Sequence, residues 1–292
     1  MRAVVVGPDG EPALQDVPEP DGPGSLVHVL ACGLCGSDVE KLARGHAGTV
    51  PGHEVVAELA DGRRVALVHH ASCGECERCL AAHESTCERF AEPTIRPGGL
   101  AERVRADSWV DLPSDWPDWR GTIVEPLACV LRGAARLPRG RLLIVGHGFV
   151  GQLFGAVLER RGDEVFAVDA DPRRAGRAPD GPVDAAVLCG PGGADTALDA
   201  VAPGGTVLVF ADAGSIPLAD VYRRELTVLG ARSAAPPYMP EAVALLHDLD
   251  LEEDLAVSGH RVRDVLEPEV VRAVQDQRPH VVKTTFVASR RR

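Results

Sequence analysis

The chain contains 292 residues, of which 45% are apolar and 25% charged, enough for two domains with separate cores. Its formal net charge of −12 argues against binding to nucleic acid or to an anionic membrane surface, because either would favour a basic face. The N-terminal residues lack a long apolar run, no segment reaches membrane-spanning length, and clustered cysteines without a secretion signal are typical of metal ligands, so we expect a cytoplasmic protein.

The first part of the chain, up to residue 120, predicts a small, irregular all-β domain. It is rich in Gly and Pro and carries short β-type runs at 3–6, 26–30, 55–59, 64–68 and 101–104. A helix is predicted over 122–137, where apolar residues predominate.

Alternating β and α segments follow Pro138. Strands are predicted at 141–145, 164–168, 183–188, 205–210 and 226–230, with helices at 152–160 and 239–249. This alternation is typical of a doubly wound parallel sheet, so the overall prediction is an α/β fold. The tail 255–287 predicts β-type runs around a helix at 267–276 that fold back onto the first domain. We therefore predict a nucleotide-binding domain at 122–254 and a β-rich domain at 1–121 and 255–292.

A glycine-rich turn of the form GxGxxG lies between the first strand and the first helix of the second domain. Gly146 permits a tight turn, and Gly148 lets the backbone approach a pyrophosphate. Phe149 and Val150 complete the turn, and Gly151 brings the helix close to the strand. The N-terminus of that helix would face the phosphates, so the turn predicts a dinucleotide site.

Asp169 ends the next predicted strand, eighteen residues after Gly151. Its carboxylate would accept bonds from the adenosine ribose and repel a 2′-phosphate, which favours NAD over NADP. Arg173 and Arg174, two positive charges just downstream, keep NADP binding possible. We predict that Arg174 lies beside the adenosine ribose. His147 is expected either to contact the cofactor or to be solvated.

Four cysteines lie within fifteen residues, at Cys73, Cys76, Cys79 and Cys87. Thiolates at this spacing can close a tetrahedral cage around one zinc ion, which leaves no open position for chemistry. The cluster therefore predicts a structural zinc site. His69 and His70 adjoin it but fall outside its spacing, and we expect them to be loop residues rather than ligands.

Five motifs of the chain occur in the order found in zinc-dependent medium-chain dehydrogenases: Cys35-Gly-Ser37-Asp38, Gly52-His53-Glu54, the four cysteines, Glu125-Pro-Leu and the glycine turn. The chain resembles that family over nearly its whole length, and its E-P-L motif is similar to that of the sorbitol (polyol) and sugar dehydrogenase branch. The resemblance implies a GroES-like β-rich catalytic domain and a Rossmann NAD-binding domain. It also implies two zinc ions per chain, NAD, and a homodimer or homotetramer.

The same resemblance assigns a catalytic zinc to a second group of residues. Cys35, His53 and Glu125 would be ligands, and Glu54 would either bind zinc directly or stand just behind the ligands. Asp38 would hold the ring of His53, which makes physical sense because such a partner fixes the tautomer. Cys32 is expected to be a buried neighbour of Cys35, although the CxxC spacing also allows a redox pair.

The resemblance further assigns residues to proton transfer and to the cofactor. Ser37 would pass the substrate proton outward. Glu40 stands where many members have the histidine that ends this relay, and it would continue the relay or bond a substrate hydroxyl. Lys283 would lie against the cofactor pyrophosphate.

The chain differs from the family in the length of its parallel sheet, and three hypotheses remain for its function. Asp169 and Asp184 are only fifteen positions apart, so we expect a trimmed parallel sheet of about five strands instead of six. For function, the leading hypothesis is a dehydrogenase acting on a secondary alcohol or ketone of a polyol, sugar or cyclitol. An epimerase or dismutase that retains its NAD, and a non-catalytic nucleotide-binding protein stabilised by zinc, are the other two hypotheses.

Overall fold

The structure is a computed structural model that describes residues 1–43, 46–233, 236–249 and 283–287. Contacts divide these residues into two compact units, the first made of 1–43, 46–128, 236–249 and 283–287 and the second of 129–233. The division differs from the predicted one, because it falls after residue 128 rather than 121 and groups 236–249 with the first unit. The domain boundaries stay a prediction, and the predicted helix at 267–276 lies outside the described residues.

The first unit is built mainly from antiparallel strands. Its strands are β1 (Arg2–Val6), β2 (Pro12–Asp16), β3 (Ser25–Leu34), β4 (Glu54–Glu58), β5 (Arg64–Leu67), β6 (Ile95–Arg96), β7 (Arg103–Ala106), β8 (Trp109–Asp111) and β14 (Thr284–Val287). Its helices are α1 (Gly36–Ala43), α2 (Glu77–Leu80), α3 (Asp118–Gly121), the beginning of α4 (Val124–Ala134), and α8 (Tyr238–Asp248). Among the described residues, no helix is both long and apolar enough to span a membrane.

The central strand of this unit is β3. The sheet order is β6-β7-β3-β4-β5-β8, and β1 pairs separately with β2. The first half of β3 pairs with β7, and its second half pairs with β14, where Phe286 lies opposite Cys32. Phe286 is fully buried in the same apolar core as Cys32. Through this pairing, residues 284–287 form part of the first unit.

The second unit contains a parallel sheet with helices. Its strands are β9 (Arg141–Val145), β10 (Glu164–Val168), β11 (Val183–Leu188), β12 (Val201–Val209) and β13 (Thr227–Gly230), and its helices are the rest of α4, α5 (Phe149–Arg160), α6 (Ala194–Ala200) and α7 (Leu218–Arg224). The order is β10-β9-β11-β12-β13, and each adjacent pair is parallel. Within the described residues this is the five-stranded, trimmed Rossmann sheet that the short segment after Asp169 predicts.

Side chains from α3 and the loop before it explain why α8 groups with the first unit. The guanidinium of Arg120 donates to the carbonyls of Leu246 (2.6 Å) and Leu249 (2.9 Å) at the C-terminal end of α8. The last carbonyls of a helix have no partner within the helix, so these bonds satisfy them. The ring of Trp116 also lies 6.3 Å from that of His247. Helix α8 is thereby attached to the β-rich unit.

Candidate metal and dinucleotide sites

Three of the predicted metal ligands converge beside β3 in the first unit. Cys35 follows the last residue of β3, and antiparallel pairing places Gly33, near that end, opposite Glu54 at the start of β4. Cys35, His53 and Glu54 have ligand atoms that all lie within 4.8 Å of one another. A thiolate, an imidazole and a carboxylate are all accepted by zinc, and three protein ligands leave a fourth position for an exchangeable group. The donor set therefore fits a catalytic ion.

Asp38 holds the ring of His53. Its Oδ1 lies 3.3 Å from His53 Nδ1 and accepts the N–H of Gly52 at 3.0 Å, while its Oδ2 accepts the N–H of Cys35 at 3.1 Å. Burial alone would raise the pKa of Asp38, but the neighbouring His53 and the two N–H donors lower it well below its usual range. An ionised carboxylate only accepts hydrogen bonds, so His53 carries its proton on Nδ1 and Nε2 is left as the ligand nitrogen.

Lys283 is buried beside Glu54. Its Nζ bonds Glu54 Oε2 and donates to the carbonyl of Leu34 at 3.4 Å. Burial opposes the charge of Lys283, yet the carboxylate of Glu54 raises its pKa overall. Gly33 makes room for this pair, because a Cβ there would overlap Glu54 Oε2. The contact of Lys283 with a pyrophosphate stays a prediction, and the structure gives this lysine a carboxylate partner in the candidate metal site.

Glu125 is a third buried carboxylate of the same unit, after Asp38 and Glu54. It lies in the first turn of α4 and is 7% exposed. Its negative charge is among those that raise the pKa of Lys283, after that of Glu54. It is not one of the three residues whose ligand atoms lie within 4.8 Å of one another. The structure thus offers two carboxylates as possible ligands of the ion. Glu54 belongs to the three-residue group, and Glu125 lies near Lys283, the partner of Glu54.

The two predicted relay residues both lie on α1, directly after Cys35. Ser37 and Glu40 are exposed, whereas Asp38 between them is buried. Residues three apart on a helix are neighbours on its surface. The hydroxyl and the carboxylate therefore occupy one solvent-facing side of the helix whose first turn holds Asp38.

His69 is a neighbour of His53 that was not predicted from the sequence. The ring of His69 stacks on that of His53, with centroids 4.4 Å apart and planes 26° apart. The register of strands β4 and β5 accounts for this contact, since Val56 lies opposite Ala66. Continued beyond the strand ends, that register sets residue 53 opposite residue 69, and such cross-strand neighbours interact.

The four-cysteine cluster has the dimensions of a zinc site. The sulfur of Cys79 lies 3.5 Å from that of Cys76 and 3.8 Å from that of Cys73, and Cys76 and Cys87 are 3.9 Å apart. Four thiolates placed about 2.3 Å from one zinc ion would be about 3.8 Å apart at the corners of a tetrahedron. The cysteines are free thiols, since these separations far exceed the roughly 2 Å of a disulfide.

Backbone N–H groups favour the thiolate form of Cys76 and Cys87, whereas burial raises the pKa of Cys79 to about 12. Cys87 Sγ accepts the N–H groups of Cys73 and Arg89, both at 3.4 Å, and these bonds lower the pKa of Cys87. A backbone hydrogen bond from Glu88 is the main cause that lowers the pKa of Cys76 to about 6. Zinc binds the thiolate and not the thiol, so Cys76 and Cys87 favour metal binding by the segment 73–90, called the cysteine lobe below.

The glycine turn of the second unit stands between β9 and α5. Gly146 has φ +93°, a left-handed conformation that favours glycine, and a Cβ at Gly151 would overlap the carbonyl of Gly146. A Cβ at Gly148 would meet no atom within 4 Å, so space is open at the start of α5. Phe149 is buried and Val150 half-buried, so these two offer backbone N–H groups rather than side chains. The turn fits a bound pyrophosphate.

Asp169 follows β10 and is surrounded by donors. Its Oδ2 accepts the N–H of His147 at 2.7 Å, and its Oδ1 accepts the N–H of Asp171 at 2.8 Å and Arg174 Nη2 at 2.9 Å. The ring of His147 bonds the carbonyl of Arg174 at 2.6 Å. Asp169, Arg174 and His147 therefore form one cluster beside the glycine turn, whereas Arg173 bonds the neighbouring Asp171 at 2.7 Å.

Comparison with known proteins agrees with this architecture. Residues 22–114 match the alcohol dehydrogenase GroES-like domain. The chain is 29% identical to D-altritol 5-dehydrogenase from Agrobacterium fabrum, over 90% of this chain and 92% of that protein. It is 26% identical to L-galactonate-5-dehydrogenase from Escherichia coli, over 55% of this chain, and there it spans only 53% of the relative. Among solved structures, alcohol dehydrogenase TADH from Thermus sp. ATN1 superposes with a TM-score of 0.83 at 25% identity, covering 99% of this chain and 100% of that one.

A GroES-like domain with a cysteine lobe, followed by a doubly wound parallel sheet with a GxGxxG turn, defines the medium-chain dehydrogenase class. In sequence and in fold, the chain is similar to the alcohol and polyol dehydrogenases of that class.

Proposed function

We propose that this protein is an NAD-dependent zinc oxidoreductase that transfers hydride between NAD(H) and a secondary alcohol or ketone of a polyol, sugar or cyclitol. The observation that carries the proposal is the convergence of Cys35, His53 and Glu54, with Asp38 bonded to the far nitrogen of His53. A protein kept only for nucleotide binding would not need a thiolate, an imidazole and buried carboxylates grouped around an exchangeable position.

Cys35 and His53 would hold the catalytic zinc together with Glu54 or Glu125. When bound, zinc supplies Lewis acidity and NAD accepts or supplies the hydride. The thiolates of Cys73, Cys76, Cys79 and Cys87 would hold a second, structural zinc. This assignment is supported by the donor chemistry and by the sulfur separations.

The chain's own residues have distinct tasks in this scheme. Asp38 keeps the proton of His53 on Nδ1, which preserves Nε2 as a ligand through each turnover. Ser37 and Glu40, exposed one helical turn apart, would carry the substrate proton to solvent. In the second unit, Asp169 would accept a ribose hydroxyl and the N–H groups at the start of α5 would face the pyrophosphate.

The substrate class is supported by the names of the relatives. D-altritol 5-dehydrogenase and L-galactonate-5-dehydrogenase are named for a polyol and a sugar acid. Both carry several secondary alcohols, which fits a site that binds one oxygen at a metal and the others at polar side chains. From the resemblance alone we also propose a homodimer or homotetramer, which light scattering of the full chain would test.

The direct test is a screen of polyols, sugars, sugar acids and cyclitols with NAD, following the absorbance of NADH. The variant Cys35→Ala should lower kcat/KM at least about a hundredfold, since replacing a residue that only supports a metal ligand already costs 10–100-fold in activity. Its NAD affinity should be unchanged, because the glycine turn lies in the other unit. Cofactor that remains bound while a substrate is epimerised without net NADH would favour the NAD-retaining alternative. An active Cys35→Ala enzyme would refute the metal assignment.

A further inference from the structure

Four aromatic side chains form a continuous column of rings in the first unit. It begins at His53, whose ring stacks on His69 with 4.4 Å between centroids. The ring of His69 lies 3.8 Å from that of His70 in a tilted contact with planes 45° apart, and His70 stacks on Phe90 at 3.9 Å with planes 21° apart. The column thus runs from a candidate ligand of the catalytic ion to a residue of the four-cysteine lobe.

The stack restrains His53 in a way that Asp38 does not. A single hydrogen bond at Nδ1 fixes the direction of that nitrogen but still permits the imidazole to rotate about the line of the bond. A ring packed against its face opposes this rotation, because tilting His53 would press it into His69 or open a gap. The hydrogen bond and the stack together fix both the direction and the plane of the ring, and therefore the position of Nε2.

The far end of the column is fixed to the cysteine lobe. His70 Nδ1 lies 3.1 Å from the carbonyl of Phe90, which can only accept, so His70 donates this bond. The N–H of Phe90 in turn donates to the carbonyl of Cys87 at 3.0 Å. At the near end, the single hydroxyl proton of Thr94 is shared between the carbonyls of Val68, at 2.7 Å, and His69. Both the rings and their backbone are therefore held in place.

We propose that His69 and His70 are positioning residues that hold the plane of His53 and link the catalytic metal site to the folded cysteine lobe. The inference rests on the proposed function insofar as His53 binds the metal. It explains why two adjacent histidines stand before the lobe without lying at ligand spacing. It also assigns the lobe a role beyond stability, since its fold would determine the affinity of the other site for metal.

The test uses the full chain with zinc in the cysteine lobe and Co²⁺ at the Cys35–His53 site. Co²⁺ affinity is measured by competition with a chelator, and the visible absorption bands report the geometry around the ion. His69→Ala should lower the affinity about tenfold and alter the bands, as expected for loss of a group that orients a ligand. His69→Phe keeps a ring but no nitrogen, and it should restore the bands and bring the affinity within about threefold of the unmodified protein.

His83→Ala is the matched control, because His83 is an exposed histidine of the same lobe. It should leave the affinity and the bands unchanged. Phe90→Leu changes the far end of the column and should weaken Co²⁺ binding in the same direction as His69→Ala but less. Zinc content of the lobe, measured for every variant, confirms that each one is folded.

The outcomes separate the two proposals. Failure of the unmodified protein to bind Co²⁺ at the Cys35–His53 site would overturn the proposed function itself. Normal Co²⁺ binding that is unaffected by His69→Ala, or equally impaired in His69→Ala and His69→Phe, would overturn the positioning role of the stack. An unchanged Phe90→Leu variant would overturn the link to the lobe.

Discussion

The two carboxylates buried beside Cys35 each face a group that can carry positive charge. Asp38 faces His53, and Glu54 faces Lys283. Removing one member of such a pair leaves an uncompensated buried charge, which is strongly destabilising. If Glu54 bound the ion, its negative charge would be drawn toward the metal and its attraction for Lys283 would weaken. We therefore expect Glu54 to remain with Lys283 and Glu125 to act as the carboxylate ligand.

This expectation is tested at two positions four residues apart on α4. Glu125→Ala should remove a ligand, weaken the catalytic zinc and abolish most turnover. Cys129→Ala is the matched comparison, because Cys129 is half-buried on an apolar helix and should cost only modest stability. Zinc content and kcat/KM are measured for both variants. Zinc loss in Cys129→Ala with retention in Glu125→Ala would replace the polyol-type ligand set by one with a second cysteine.

Asp169 should determine cofactor choice. Asp169→Ser removes the acceptor for the ribose and releases Arg174, now bonded at 2.9 Å, to meet a 2′-phosphate. The ratio of kcat/KM for NAD over NADP should fall at least about tenfold, equivalent to about 1.4 kcal/mol. Asp171→Ser is the control two residues away, and it should leave the ratio nearly unchanged. An equal fall in both variants would indicate general loosening of this loop.

At the level of elements, β10 lies at the edge of the trimmed parallel sheet, where its outer backbone groups need partners. Residues 169–182 form turns and extended backbone rather than the helix and strand that the family normally has there. Ala167 of β10 donates its N–H to the carbonyl of Arg177 at 3.0 Å and accepts the N–H of Gly176 at 3.1 Å. The short segment thus satisfies the open edge of the strand, which would otherwise be available for aggregation.

Two guanidinium groups cover Phe166 of β10, which the absence of a helix at this edge would otherwise expose. Arg141 and Arg177 lie 4.7 Å and 4.2 Å from the ring of Phe166, which is 1% exposed. Arg177→Ala should lower the free energy of unfolding by about 0.5–1 kcal/mol, the usual contribution of a cation–π contact at an exposed site. Arg173→Ala, which removes an exposed arginine of the same segment, should leave it nearly unchanged. Denaturant unfolding measures both, and equal losses would argue against the contact with Phe166.

At the level of the molecule, the first unit contains both candidate metal sites, and they differ in ligand chemistry. One has four thiolates, and the other combines a thiolate, an imidazole and a carboxylate. We expect two zinc ions per chain with unequal lability, because carboxylates are weaker zinc ligands than thiolates. Brief treatment with a chelator should leave about one zinc per chain and little turnover, and added zinc should restore both. Full activity with one zinc remaining would contradict the assignment of a catalytic ion.

Strands β9, β10 and β11 begin and end at the residues predicted for them, because continuous apolar runs between glycine or charged residues define buried parallel strands locally. Helix α1 was not predicted, because it begins with Gly36, Ser37 and Asp38, which are typical of turns. Strand β12 was predicted only from residue 205, whereas it starts at Val201 although Pro203 and Gly204 follow. Tertiary pairing overrides such weak local preferences.

The sequence by itself determined the two-part α/β fold, the short parallel sheet, the four-cysteine lobe and the glycine turn, because each depends on residue types at short, regular spacing. Only the tertiary structure decided how distant groups combine. Glu54 and Lys283 are 229 positions apart, and they form a buried pair only because β14 returns to β3. The stack of His69 on His53 likewise depends on the register between two strands and on close packing. Those relations arise from the folded chain as a whole, and no local pattern of residues specifies them.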